Sequence, residues 1–286
     1  MTIREFGEKI SMAEEAIVQS EKHYEIFKND DDYLKVIEAI KNDVPPMEVQ
    51  EMNVKLSEKL GINNLELHLA VLLTCGDVVK ENFEKQNYSD ELCWESSVDI
   101  KCKANETKDL CGFYGVSPFF WGVRVLRGEL VKLGRLEFEE RESDFDFTVN
   151  GFSIKKGDIV LGMHIPTGGR MTPQEIDESF ELAYNFYNKK YDGWMIVRCG
   201  SWIVYPPFQK LFKEGSNLWH FAKRFKMVHS IEDPEFKAAW RIFNTRDISN
   251  PDALPQDSSL RKAIAEYLKN GGIAGDGIGF TAYKPE

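Results

Sequence analysis

The stretch DIVLGMHIPTGGRMTPQEIDESFELAYNFY, from Asp158 to Tyr187, restricts the possible folds more than any other part of the chain. Ile159, Leu161, Met163 and Ile165 alternate with Val160, Gly162 and His164, the period-two pattern of a strand. Pro166 has no N–H to give and ends the ladder. Thr167, Gly168 and Gly169 form a turn in which the glycines take positive φ without steric cost. A helix then starts with Thr172 as N-cap, Pro173 at the first helical position and Glu175 closing a capping box. Ile176, Phe180, Ala183, Tyr184 and Tyr187 fall on one face of that helix. Strand, glycine turn and helix together make an anion site. The first helical amides lack internal partners, the helix dipole adds partial positive charge, and Arg170 supplies a planar guanidinium. The plainer alternative is that Gly168 and Gly169 only turn the chain and Arg170 is a solvated loop residue.

Whatever anion binds there is not a nucleic acid backbone. The net charge of the 286 residues is −11, which argues against a nucleic-acid surface or a basic membrane patch. No apolar run approaches the roughly 20 residues of a spanning helix, and the charged N-terminus MTIREFGEKISMAEE has no signal-peptide core. Cys75, Cys93, Cys102, Cys111 and Cys199 are odd in number and include no C-x-x-C pair. Reduced thiols in a cytoplasmic protein are expected, with neither a disulfide frame nor a metal site.

Residues 1–112 carry helical periodicity throughout, and residues 113–286 mix strands with helices. The expected class is therefore α+β, a helical domain followed by a mixed sheet of about six or seven strands with helices packed on it. In the first half, LELHLAVLLTCGDVVKENFEK reads as one buried helix, with His68 and Cys75 as core residues. LCWESSVDIKCKANETKDLCG reads as a helix followed by a loop. In the second half, a helix is expected over 118–131, a strand over 135–140 and a hairpin at Asn150–Gly151. Further strands are expected at 158–165 and 194–205, and a helix in DPEFKAAWRIF with Asp233 as its cap.

HIPTGGRMTPQEIDESFELAYNFY, CGSWIVYP and SNLWHFAKRF together resemble a family of bacterial acyltransferases. In that family an all-helical N-terminal domain precedes a C-terminal domain of the GNAT (N-acyltransferase) type. The resemblance spans the chain and is most specific over 133–224. It implies an acyl-CoA cofactor, acetyl-CoA or another, and a small-molecule acceptor. It also implies that the strands at 158–165 and 194–205 splay apart to admit the pantetheine arm. Ile165, Thr167, Gly168, Gly169, Arg170, Thr172 and Ser201 would then contact CoA. The loop departs from the usual GNAT spacing, with adjacent glycines and the arginine after them.

Acyl transfer to an amine or alcohol needs a base for the nucleophile and an acid for the departing thiolate. Glu137 and Glu139 share one face of their strand and are candidate bases. His164, at the end of the central strand, is another, since imidazole changes charge near neutral pH. A structural His164, bonding a nearby carbonyl to order the loop, is equally compatible with the pattern. Tyr205, placed on one strand face with Cys199 and Ser201, is the candidate acid. A second class remains open, a catalytically silent GNAT-like module that binds a small ligand or a protein. A third is a hydrolase built on Cys199 and His164.

Overall fold

The computed structural model describes residues 1–187, 191 and 193–285. They divide into two compact units, Met1–Lys132 with Pro166–Gly168, and Leu133–Ile165 with Gly169–Glu286. The first unit is helical: α1 (Ile3–Lys9), α2 (Glu14–Phe27), α3 (Asp31–Lys41), α4 (Pro46–Leu60), α5 (Asn64–Leu73), α6 (Gly76–Lys85), α7 (Asp90–Cys111) and α8 (Phe119–Leu126). The division at Lys132 falls later than the 112/113 boundary drawn from composition, because α8 packs against α4 and α5.

The run expected to be one long helix is two. The Thr74 hydroxyl donates to the Val71 carbonyl, and Gly76 lets the Met1 and Phe6 side chains approach where a Cβ would lie 2.5 and 3.0 Å from them. Leu67 to Leu73 of α5 are all buried, as its apolar composition requires. His68 is in that core; its Nδ1 donates to the Val116 carbonyl, and burial pushes its pKa down to about 4. In α7 the expected loop is helical instead. Ser89 caps its start, and it continues to Gly112 in the left-handed region at φ 82°.

From the division onward the chain forms a six-stranded mixed sheet in the order β1-β2-β5-β6-β8-β7, with β1 at the division itself. The strands are β1 (Val131–Leu133), β2 (Leu136–Glu142), β3 (Phe147–Val149), β4 (Phe152–Ile154), β5 (Ile159–His164), β6 (Met195–Ser201), β7 (Lys226–Glu232) and β8 (Gly275–Tyr283). β5 and β6 run parallel; β2/β5, β6/β8 and β7/β8 are antiparallel. β3 and β4 pair separately through Asn150 (φ 46°) and Gly151 (φ 81°), the two positive φ values of the hairpin turn the sequence predicts. Helices α9 (Pro173–Phe186), α10 (Pro206–Gln209), α11 (Asn217–Ala222), α12 (Ala239–Phe243) and α13 (Ser259–Lys269) complete the unit.

Three sequence expectations change here. The helix expected over 118–131 stops at Leu126, because Gly128 turns left-handed at φ 67°, and Val131 begins a strand. The strand expected over 194–205 ends at Ser201, whose hydroxyl accepts the Ile203 amide and opens a 3-10 turn over Trp202–Val204. The helix expected from Asp233 shrinks to Ala239–Phe243, since Phe236 sits at φ 46° and breaks the helical path.

The sheet has two chemically different faces. Phe138 points to the face that α9 covers, with its ring edge-on to Phe180 at 6.2 Å. On the opposite face, Val160, Ile196 and Phe280 pack under Val149 and Ile154 of the hairpin. The strand registers place Glu137, Glu139, Arg141, Gly162, His164 and Arg198 on that same second face. The hairpin covers the apolar part of that face.

Candidate active site

The site grows from the antiparallel pairing of β2 with β5. Glu137 lies directly opposite His164, and Glu139 opposite Gly162. His164 Nε2 is 2.8 Å from Glu139 Oε1. A carboxylate only accepts, so this contact places the imidazole proton on Nε2 and makes Nδ1 the accepting nitrogen of the ring. The glutamates are not the solvated strand residues their polarity suggests. Glu137 is 2% and Glu139 6% exposed. Gly162 makes room for the pair, because a Cβ there would come within 2.9 Å of Glu139 Cγ and 2.7 Å of Arg141 Cδ.

Beside the pair lie charged residues that sequence reasoning passed over. Arg198, opposite Gly162 on β6, lays its guanidinium over Gly200, with Nη1 3.1 Å from where a Cβ would be. Asp144 links it to β2, receiving Arg198 Nη2 at 2.9 Å and Arg141 Nη2 at 3.1 Å. Burial, then the neighbouring Arg141 charge, lowers the Arg198 pKa from its ordinary value. The available signal was a lone arginine inside the apolar strand MIVRCGS.

β5 and β6 pair at Leu161–Val197, Gly162–Arg198 and Met163–Cys199; among the described residues the pairing extends no further. β6 continues to Ser201 by pairing with β8, and His164 stays paired with β2. Beyond Met163–Cys199 each of the two parallel strands is therefore held by its other neighbour, β5 by β2 and β6 by β8. Past that point Ile165 is half-buried. Gly168 and Gly169 adopt φ 108° and 70°, and a Cβ at Gly168 would meet nothing within 4 Å. Arg170 is exposed, and its carbonyl accepts from Arg135 Nε at 3.1 Å. Thr172 caps α9 in a complete capping box.

That box has a pH signature. The Thr172 backbone N–H first, and its hydroxyl second, hold the Glu175 carboxyl below its ordinary value. A depressed carboxylate stabilises the fold above its unfolded pKa of about 4.3, and the contribution is lost as pH falls through the lowered folded value. Thr172→Ala is expected to cost about 1 kcal/mol. Melting temperatures at pH 6 and pH 3 are expected to differ less in the variant than in the parent chain, and an equal difference would count against the box.

The remaining predicted residues are not gathered at the dyad. The Thr167 hydroxyl donates to Glu106 of α7, within the helical unit. Ser201 caps the 3-10 turn rather than facing a ligand from a strand. Tyr205 lies beyond that turn and not on the strand, with its hydroxyl donating to the Ile273 carbonyl at 3.2 Å. Its shared strand face with Cys199 and Ser201 does not form. Cys199 is buried, and burial pushes its thiol pKa up to about 12, which removes the thiolate a nucleophile needs.

Residues 130–281 match the family described as the GNAT-like C-terminal domain. The chain belongs to that family. No curated protein matches this GNAT-like chain significantly. Among solved structures, it resembles an acyltransferase in complex with decanoyl-CoA and teicoplanin, at 19% identity and TM-score 0.73, over 98% of this chain and 87% of that one. It also resembles an acyltransferase in complex with CoA and 10C-teicoplanin, at 20% identity and TM-score 0.71, over 97% of this chain and 86% of that one. These likenesses show that the α+β fold of the GNAT-like chain is shared with proteins crystallised as acyltransferases.

Proposed function

We propose that the protein transfers an acyl group from acyl-CoA to the amine or hydroxyl of a small-molecule acceptor. The observation that carries this is the His164–Glu139 pair, 2.8 Å apart, at the end of β5 beyond its last pair with β6. His164 Nδ1 takes the proton from the acceptor nucleophile, and Glu139 holds the ring and stabilises the imidazolium that forms. The nucleophile bonds to the thioester carbonyl carbon, the C–S bond breaks, and the CoA thiolate leaves and gains a proton. Backbone N–H groups beyond the last β5–β6 pair are the proposed donors to the carbonyl oxygen as negative charge develops there.

The turn fits the phosphate end of CoA. Two glycines at positive φ, open space over Gly168, a capped helix N-terminus and an exposed Arg170 leave room and positive potential for a pyrophosphate. Family membership and the solved acyltransferases with decanoyl-CoA and CoA support the same donor class.

Binding is tested by thermal shift with acetyl-CoA, decanoyl-CoA and desulfo-CoA. A ligand at a hundred times its Kd is expected to add about 2.7 kcal/mol to stability, and no shift with any of the three would sink the proposal. Arg170→Ala is expected to weaken CoA binding between about tenfold and a hundredfold, the range for a hydrogen bond to a charged group. Its melting temperature without ligand is expected to stay near that of the parent chain, because Arg170 is an exposed loop residue. Calorimetry giving an unchanged Kd would remove Arg170 from the cradle.

A further inference from the structure

One charged residue near the His164–Glu139 pair is not accounted for by its protein partners. Arg198 stands on β6 among Ile196, Val197 and Cys199, all of them buried, and its own side chain is only 12% exposed. Desolvating a guanidinium is costly unless its N–H donors are satisfied. Arg198 Nη2 meets Asp144 at 2.9 Å, but Asp144 is exposed and also takes Arg141 Nη2, so one carboxylate serves two guanidiniums. Arg198 Nε is buried with no hydrogen-bond partner among the described residues. An arginine kept for stability alone would be expected to have that donor satisfied.

The guanidinium is instead aimed along its strand. Nη1 lies 3.1 Å from the position a Cβ would take at Gly200, and Gly200 is exposed. Gly200 is two residues beyond Arg198, as His164 is two residues beyond Gly162, the register partner of Arg198. Alternation puts all four on one face of the sheet, so guanidinium and imidazole reach toward the same end of it. On the other side of β6, Phe280 and Ile278 of β8 pair with Arg198 and Gly200 and supply apolar surface. Apolar surroundings weaken the competition of water for an ion pair.

We propose that Arg198 is a specificity-determining residue that binds a carboxylate on the acyl acceptor, which is therefore an amino acid or a related carboxylate-bearing amine. The planar guanidinium fork matches a carboxylate and fixes the orientation of the acceptor as well as its position. Asp144 holds the guanidinium for this contact, and the acceptor amine is turned toward His164. The proposal rests on the acyl-transfer function above and adds the substrate class to it.

The test compares acceptors that differ only in the carboxylate. Release of CoA from acetyl-CoA and from decanoyl-CoA is followed with the standard L-amino acids, β-alanine and γ-aminobutyrate, each against its primary amide. The parent chain is expected to use the best acid with a kcat/KM about tenfold to a hundredfold above that of its amide, the range for a hydrogen bond to a charged group. Arg198→Met, unbranched and uncharged, is expected to bring acid and amide to within about twofold, chiefly through a raised KM for the acid. Gly200→Val keeps the arginine but fills the space beside Nη1, and is expected to lower the same ratio, so the test stands even where Arg198→Met fails to fold. A parent chain that turns over no acid in the set, or the amides as fast as the acids, overturns the proposal and leaves acyl transfer standing on its CoA binding. An acid preference that survives Arg198→Met overturns it as well, and a lowered melting temperature in that variant would then make Arg198 structural. A parent chain that binds no acyl-CoA overturns the acyl-transfer function instead. Calorimetry of the same acids and amides on the free protein then decides the carboxylate site by itself, with tighter acid binding supporting it and equal or absent binding overturning it.

Discussion

His164→Gln is expected to lower kcat by roughly 10²–10⁴, the contribution typical of a positioned general base. Glutamine keeps a hydrogen-bonding group beside Glu139 but cannot accept a proton from the acceptor. The melting temperature is expected to change little, because His164 is only half-buried and its carboxylate partner keeps a donor from the amide. The measurement is steady-state turnover of an acyl-CoA and an amine acceptor, with thermal melts run alongside. A lowered melting temperature with near-normal turnover in the folded fraction would make the imidazole structural. Normal turnover and a normal melt would move the base to Glu137 or to ordered water. Glu139→Gln is expected to lower kcat in the same sense, since a neutral amide cannot stabilise the imidazolium.

Phe138→Ala is expected to cost about 3–5 kcal/mol of stability, the range for a large aromatic side chain deleted from a core. Phe138 is fully buried, edge-on to Phe180 of α9, and the Tyr187 hydroxyl donates to its backbone carbonyl at 3.1 Å. It stands between Glu137 and Glu139 on β2 with its side chain on the other face of the sheet. Its packing therefore holds the strand that carries both carboxylates. Chemical denaturation is the appropriate measurement. A cost under about 1 kcal/mol would mean that α9 does not clamp β2 in the way the contacts indicate.

The two expectations differ in where their support was visible. The strand, turn and capped helix from Asp158 to Tyr187 were legible in the sequence because each boundary has a local cause. Pro166 lacks an amide, Gly168 and Gly169 permit positive φ, and Thr172 with Glu175 closes the helix end. The Asn150–Gly151 hairpin was legible for the same reason. The errors fall where no single residue announces the change. The 3-10 turn after Ser201 interrupts a run of strand-forming residues, and with it Tyr205 leaves the face on which alternation had placed it. The end of α8 rests on Gly128, one glycine in a stretch that otherwise suits a longer helix.

The sequence by itself determined the α+β class, the central strand and its glycine turn, and the alternation that put Glu137 and Glu139 on one strand face, because these depend on neighbours a few residues apart. Only the tertiary structure decided which of those carboxylates meets His164. The β2/β5 register sets Glu137 opposite it, yet the side-chain contact runs diagonally to Glu139 over Gly162. Burial of both glutamates, the Asp144 bridge between Arg141 and Arg198, and the hold of Glu106 on Thr167 are likewise tertiary, joining residues as much as 61 positions apart. Strand register and side-chain burial depend on pairings between distant segments, whose energies no local pattern encodes.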